Sequence, residues 1–155
     1  MDDSQKIYFM SFALQEAKIA FKKNEVPIGC VVVSEDKIVG RGHNQVISNK
    51  SINHHAEIVA LNEASKHLKN YRLDGCILFT TIEPCHMCAS AIAQSRISKI
   101  FFGATEPKTG SIVSIDRFFD KKFLNHKVSF SGGILARECS DLMKKFFRQR
   151  RKKRF

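Results

Sequence analysis

The alternation of apolar and polar positions divides the chain into helices and strands in turn. Over residues 5–21, Met10, Ala13, Leu14, Ala17 and Phe21 recur at helical spacing and predict an opening helix with one apolar face. "VPIGCVVVS" then reads as a buried strand, and "KIVGRGHN" as its hairpin neighbour across a turn at residues 34–36. A polar loop, 45–52, leads to "NHHAEIVALNEASKHL", a second helix with Ile58, Leu61 and Leu68 along one face. "CILFTTI" is an apolar strand, after which Glu83 and Pro84 are expected to open a third helix containing "CASAIAQSRI". "KIFFGA" and "KVSFSG" are two further strands, and "ILARECSDLMKKFFRQRR" is an amphipathic helix running into a basic tail. Strands that alternate with helices predict an α/β layer fold, and the hairpin predicts that its sheet is mixed.

The length of 155 residues and the 43% hydrophobic content suit one domain, 1–155, with a sizeable core. No repeat, Pro/Ser-rich linker or low-complexity tract divides it. The start, "MDDSQKIYFM", lacks a basic segment followed by a long apolar stretch, so no secretory signal is expected. The most apolar run, 28–33, is too short to span a bilayer. A soluble, cytoplasmic protein with no membrane partner is the expectation. Of the formal net charge of +11, eight basic residues and no acidic ones fall in the tail, 144–155, leaving +3 for the rest. So local an excess suggests a docking feature for a polyanion.

Five cysteines cannot all pair, and in a cytosolic chain reduced thiols are expected. Cys30, Cys76 and Cys139 stand alone in apolar surroundings and read as small buried hydrophobes. Cys85 and Cys88, in "EPCHMC", are different. Three apart at the first turn of a helix, they would face the same side, and the positive end of the helix dipole favours thiolates. That setting suits a redox pair, half of a structural zinc knot or half of a catalytic metal site. "HHAE", residues 54–57, opens another helix and offers the imidazole that complements two thiolates on zinc. If that helix points end-on at the ion, His55 can ligate it while Glu57 stands alongside. Three protein ligands and one open position form the catalytic pattern; a closed structural site would recruit His54 or His86 as a fourth ligand.

"HAE" followed about thirty residues later by "PCHMC" matches the H-x-E and P-C-x-x-C signature of zinc-dependent nucleobase deaminases. Together with "EVPIGCVVV", "NYRL", "SRI", "FGA", "PKTG", "GILA-x-EC" and "FFR-x-RR", in that order along nearly the whole chain, it resembles the bacterial tRNA-specific adenosine deaminase family. The resemblance implies a three-layer α/β/α fold of the cytidine deaminase type around a mixed five-stranded sheet. It implies one zinc ion per subunit, held by His55, Cys85 and Cys88, with Glu57 as the catalytic proton shuttle and no organic cofactor. Asn44 would hydrogen-bond the target nucleotide, Ile28 would wall the base pocket, and a backbone N–H near Ala56 or Cys85 would orient the ring. The implied reaction is hydrolysis of adenosine to inosine, with release of ammonia, at the wobble position of a tRNA anticodon. A homodimer is implied as well, with Phe147, Arg148, Arg150 and Arg151 of the tail meeting the anticodon stem-loop.

Two positions depart from the family's usual pattern. Glu106 stands where aspartate is familiar, near the substrate backbone, and its extra methylene would shift how the flanking nucleotide is held. His54 stands where a small residue is more usual. Phe101, Phe102, Phe118, Phe119 and Phe123 read as core or interface, whereas one of Phe146 and Phe147 is expected to pack against the body and the other to meet RNA. Two rival readings remain open. A deaminase of a free base or nucleoside, cytosine or guanine, would share the zinc site but need no basic tail. A non-catalytic, zinc-stabilised RNA-binding module would bind without turnover.

Overall fold

The computed structural model describes residues 1–153; the last two positions of the basic tail, Arg154 and Phe155, lie outside the described residues. Helix α1 (Asp3–Lys22) begins on a capping box, in which Asp2 accepts from the Gln5 N–H and the Gln5 side chain accepts from the Asp2 N–H. Strands β1 (Gly29–Ser34) and β2 (Lys37–His43) form the expected antiparallel hairpin. Helix α2 (Ala56–Leu68), strand β3 (Ile77–Ile82), helix α3 (His86–Gln94) and strand β4 (Lys99–Ala104) follow. A short strand β5 (Ser129–Ser131) and helix α4 (Ala136–Lys152) complete the order.

The five strands lie in the order β2-β1-β3-β4-β5. β1 is antiparallel to both its neighbours, whereas β3–β4 and β4–β5 are parallel, so the sheet is mixed as the sequence predicts. Alternating residues on each strand feed opposite layers. Cys30, Val32, Leu78, Ile100 and Phe102 meet α2 and α3, while Val31, Val33, Phe79 and Phe101 meet α1. Helix α4 joins the α1 side, where Cys139 packs with Leu14 and Ala17. This is the three-layer α/β/α arrangement.

Several boundaries and faces differ from the sequence reading. Helix α2 starts at Ala56 because His55 is extended, and α3 starts at His86 because Cys85 is extended, so Glu83 and Pro84 precede the helix. "SRI" lies beyond α3, since Arg96 takes a left-handed conformation at φ 67°. The buried face of α2 is Ala56, Ala60, Leu61 and Ala64, while Leu68 is exposed and Ile58 only half-buried. The helix lies so close to β2 that a Cβ on Gly42 would come within 2.3 Å of the Ala56 carbonyl oxygen. At that separation only small side chains fit between helix and strand. Phe123 is 70% exposed and not core, whereas Phe101, Phe102 and Phe119 are buried.

The connectivity gathers several chain ends at one edge of the sheet. Because β1 runs against both β2 and β3, its first residue lies beside the last residues of its neighbours. Gly29 pairs with His43, and its N–H donates to the Thr81 hydroxyl. Beyond the strand ends, the Asn44 N–H donates to the Ile28 carbonyl, and the Glu83 N–H donates to the Ala104 carbonyl. The first turns of α2 and α3 rise from this same edge.

Candidate active site

Both helices enter the edge with an extended N-cap residue whose side chain makes no capping hydrogen bond, His55 for α2 and Cys85 for α3. Those side chains are therefore available to a common ion. His55 Nδ1 lies 3.7 Å from Cys85 Sγ and 3.5 Å from Cys88 Sγ. Tetrahedral zinc with Zn–S of about 2.3 Å and Zn–N of about 2.0–2.1 Å would separate such a nitrogen and sulfur by about 3.6 Å. The donor set fits zinc in both chemistry and spacing. Among the described residues, His55, Cys85 and Cys88 are the His/Cys/Asp/Glu group whose ligand atoms converge. The two other candidate ligands are engaged elsewhere. The His54 Nδ1 faces the Asn49 amide at 2.9 Å, and the His86 Nε2 faces an Asp116 carboxylate oxygen at 2.9 Å.

The Cys85 and Cys88 thiols are linked through a hydrogen bond. The Cys88 thiol hydrogen-bonds Cys85 and brings the Cys85 thiol down to about 4, with His55 helping to hold it there. Cys88 is pushed up, because it supplies that hydrogen bond and is itself buried. The pair shares one proton where a cation would permit two thiolates. The hydrogen bond to Cys85 likewise raises His55 above its ordinary value. Cys30, Cys76 and Cys139 are buried in the packed interior, and burial raises each thiol, Cys139 to about 12. They are protonated packing residues.

A cavity of about 260 Å³ opens beside the donor cluster. Ile28, Asn44, His55, Ala56, Glu57, Cys85, Glu106 and Phe147 all line it, so the sheet edge brings most of the sequence-predicted site residues together. Glu57 is 4% exposed, and burial lifts its carboxyl to about 7, the nearby Cys85 thiolate adding to the effect. A carboxyl that titrates near neutrality can both accept and return a proton there. Asn44 is 7% exposed, and its Oδ1 is buried with no hydrogen-bond partner among the described residues. A buried polar atom left in this state is costly unless something else satisfies it.

Arg148, Arg150 and Arg151 do not enter this cavity. They line an adjoining groove of about 970 Å³ together with Lys108 and Lys144, and the groove shares Ile82, Glu106, Met143 and Phe147 with the cavity. Phe146 is buried against Phe21, while Phe147 is 40% exposed where the two spaces meet. The sequence reading did not anticipate Val26, Thr109 and Met143 as lining residues, nor Glu83 at the cavity wall. Met143 lies one helical turn before Phe147 on α4, which is the signal that would have found it. His126 donates to the Ile97 carbonyl and, with Asn125, borders a separate groove near Phe123.

Comparisons with known proteins identify the relatives of this chain. Residues 3–151 match the family described as MafB19-like deaminase. The chain is 43% identical over 150 residues to a tRNA-specific adenosine deaminase of Streptococcus pyogenes serotype M1, covering 97% of this chain and 88% of that one. It is 42% identical over 146 residues to a tRNA-specific adenosine deaminase of Aquifex aeolicus (strain VF5), covering 94% and 96%. A solved structure from a study of A-to-I editing by tRNA:A34 deaminases at the wobble position of transfer RNA superposes with a TM-score of 0.85 at 36% identity. That match covers 87% of this chain and 98% of the other.

Proposed function

The chain belongs to the tRNA-specific adenosine deaminase family, and from that premise we propose that it is a zinc enzyme converting adenosine to inosine at the wobble position of a tRNA anticodon. The observation that carries this reading is the junction of two spaces. A cavity lined by His55, Cys85 and a buried Glu57, with Cys88 buried beside those two donors, runs past Glu106 and Phe147 into a groove lined by five basic side chains. A free base would use the cavity alone. A flipped nucleotide that remains part of a strand needs both the cavity and a cationic path for its phosphates.

His55, Cys85 and Cys88 would hold the metal. Zinc bound there supplies the Lewis acidity that makes water a competent nucleophile at neutral pH. Glu57 takes a proton from the attacking water and delivers it to the ring nitrogen beside C6. The C6–N bond to the exocyclic amine then breaks, Glu57 returns the second water proton to the departing nitrogen, and ammonia leaves. Asn44 offers its buried Oδ1 as an acceptor for a donor on the nucleotide. Ile28 walls the ring, and a backbone N–H near Ala56 or Cys85 orients it from the positive end of a helix. Glu106 sits where the base leaves the strand, and Phe147 offers a ring for a flanking base to stack on. Arg148, Arg150 and Arg151 bind phosphates.

On this reading residues 1–155 act as one catalytic domain with the basic helix and tail as its docking edge, and the enzyme works in the cytoplasm, where its substrate is. No described helix is long and apolar enough to cross a membrane. A second copy of the chain is part of the proposal, supported by Tyr71 and Phe123, which are 72% and 70% exposed on the outer side of the α2–α3 layer. The test offers zinc-loaded protein three substrates: an anticodon stem-loop with adenosine at the wobble position, free adenosine, and free cytosine. Inosine should form in the stem-loop far faster than either small molecule is deaminated. Faster turnover of a free base or nucleoside would replace this reading with its rival.

A further inference from the structure

Glu83 opens the short link from β3 to α3 that delivers Cys85, and it is 3% exposed. One carboxylate oxygen, Oε1, accepts from the Glu106 N–H at 3.0 Å and from the Ser114 hydroxyl. The other, Oε2, accepts from the N–H groups of Ile112, Val113 and Ser114 at 3.0, 2.8 and 3.0 Å. The main chain adds a bond from the Ser111 N–H to the Pro84 carbonyl at 2.8 Å. Gly110 is pressed so close that a Cβ there would lie 2.4 Å from Glu83 Oε1.

The segment 106–114 has no helix or strand of its own to satisfy these amides, and it folds around the carboxylate instead. Its residues face both spaces of the site. Glu106 and Thr109 line the cavity, and Pro107 and Lys108 line the basic groove. The wall between cavity and groove is therefore tied, through one side chain, to a point two residues from a metal-ligating cysteine.

We propose that Glu83 is a positioning residue for RNA capture: it sets the 106–114 wall relative to the Cys85 turn and so fixes where the cavity opens into the groove. The inference rests on the RNA-deaminase reading for its kinetic arm and on main-chain geometry for the rest. An apolar residue could fill the same volume, but it would leave the 112–114 amides without their acceptor and free the wall. The same contact fixes the main chain of Glu106, so the extra methylene at that position projects from a held backbone.

Two variants attack the contact from opposite sides. Glu83→Gln replaces one acceptor oxygen by an NH₂ group, and Gly110→Ala drives a methyl group into the carboxylate. Both are measured for zinc content, amide exchange at residues 112–114, stem-loop dissociation constant and steady-state kinetics. Both should keep zinc, and exchange at Ile112, Val113 and Ser114 should speed up by about tenfold or more as the local opening becomes easier. Kd and KM for the stem-loop should rise by about tenfold while kcat moves less than about threefold, the pattern of weakened binding with the chemistry intact. Glu83→Asp, which keeps both oxygens but sets them back, should fall between wild type and Glu83→Gln. If Glu83→Gln does not fold, Gly110→Ala carries the test. Unchanged amide protection would overturn the proposal, and so would faster exchange with Kd and KM unmoved. A wild type that binds the stem-loop without deaminating it would sink the functional reading, leaving exchange and Kd to decide this one.

Discussion

His55 Nδ1 and Cys88 Sγ lie 3.5 Å apart although thirty-three residues separate them in the chain. Cys85 completes the triangle from the N-cap of α3. The arrangement predicts one zinc ion per purified chain, bound by three protein ligands. Metal held at about 1,000 times its dissociation constant adds roughly 4 kcal/mol of stability, so a strong chelator should lower Tm by about 10 °C. Cys85→Ala should lose the metal and show the lower Tm without chelator. Elemental analysis giving less than half an equivalent of zinc in fully active protein would remove the ion from the account.

Asn44 is buried with a side-chain oxygen that no described residue satisfies. Its Oδ1 is enclosed and unpaired, so Asn44→Ala should change folding stability by less than about 1 kcal/mol despite its location in the interior. Activity should respond quite differently. Loss of one hydrogen bond to the bound nucleotide should lower kcat/KM for the stem-loop by about tenfold. A large drop in Tm with activity preserved would show that Asn44 serves the fold.

On the proposed function, the basic helix separates packing from docking along its length. Arg148, Arg150 and Arg151 are exposed, and Arg150 rests over the Phe146 ring at 5.3 Å. Changing all three to Gln should weaken RNA binding and make its logarithmic salt slope shallower by about 0.7 for each phosphate no longer neutralised. Tm should move little, since exposed charges contribute about 0–1 kcal/mol. Phe146→Ala is the contrast, because it opens the buried contact with Phe21 and should cost about 3 kcal/mol. An unchanged affinity and slope in the triple variant would make this end of α4 a solvated helix end.

Acid should loosen the loop between β2 and α2 through Glu25. Burial would raise this carboxyl, but the Ser48 hydroxyl, the Ser48 N–H and the Ile47 N–H all donate to it and together hold it below the ordinary 4.5. A depressed carboxyl stabilises the fold fully above its unfolded value and loses that contribution as pH falls through the folded one. The Tm gap between wild type and Glu25→Gln should therefore be widest near neutrality and close as pH drops below 4.5. Acid release of zinc affects both proteins, so the gap isolates Glu25. A gap independent of pH would mean that the carboxylate charge is immaterial.

How much of this was legible in the sequence varied with the range of the interactions involved. "KIFFGA" and the opening helix read correctly because their periodicity is local and strong. The donors His55, Cys85 and Cys88 were legible as a motif, since metal chemistry restricts both residue type and spacing. The buried face of α2 was not, because the close approach to Gly40 and Gly42 selects alanines that carry little periodic signal. Glu83 looked like an acid opening a helix, and nothing near it in sequence reveals the amides at 112–114 that it serves. The engagements of His54 with Asn49 and of His86 with Asp116 depend on loop conformation and were equally invisible.

On the proposed mechanism Glu57, buried beside the metal donors and titrating near 7, moves the protons of adenosine deamination in RNA. The most direct test is inosine formation in a wobble-adenosine anticodon stem-loop under single-turnover conditions, comparing wild type with Glu57→Gln at matched zinc content and stem-loop occupancy. The amide keeps size and polarity but cannot accept and return a proton, and general acid–base groups contribute about 10²–10⁴-fold. Wild type should convert the adenosine, and Glu57→Gln should bind zinc and RNA as well while its rate falls by at least about 10²-fold. A variant rate within tenfold of wild type, or no inosine from zinc-loaded wild type, would contradict the account.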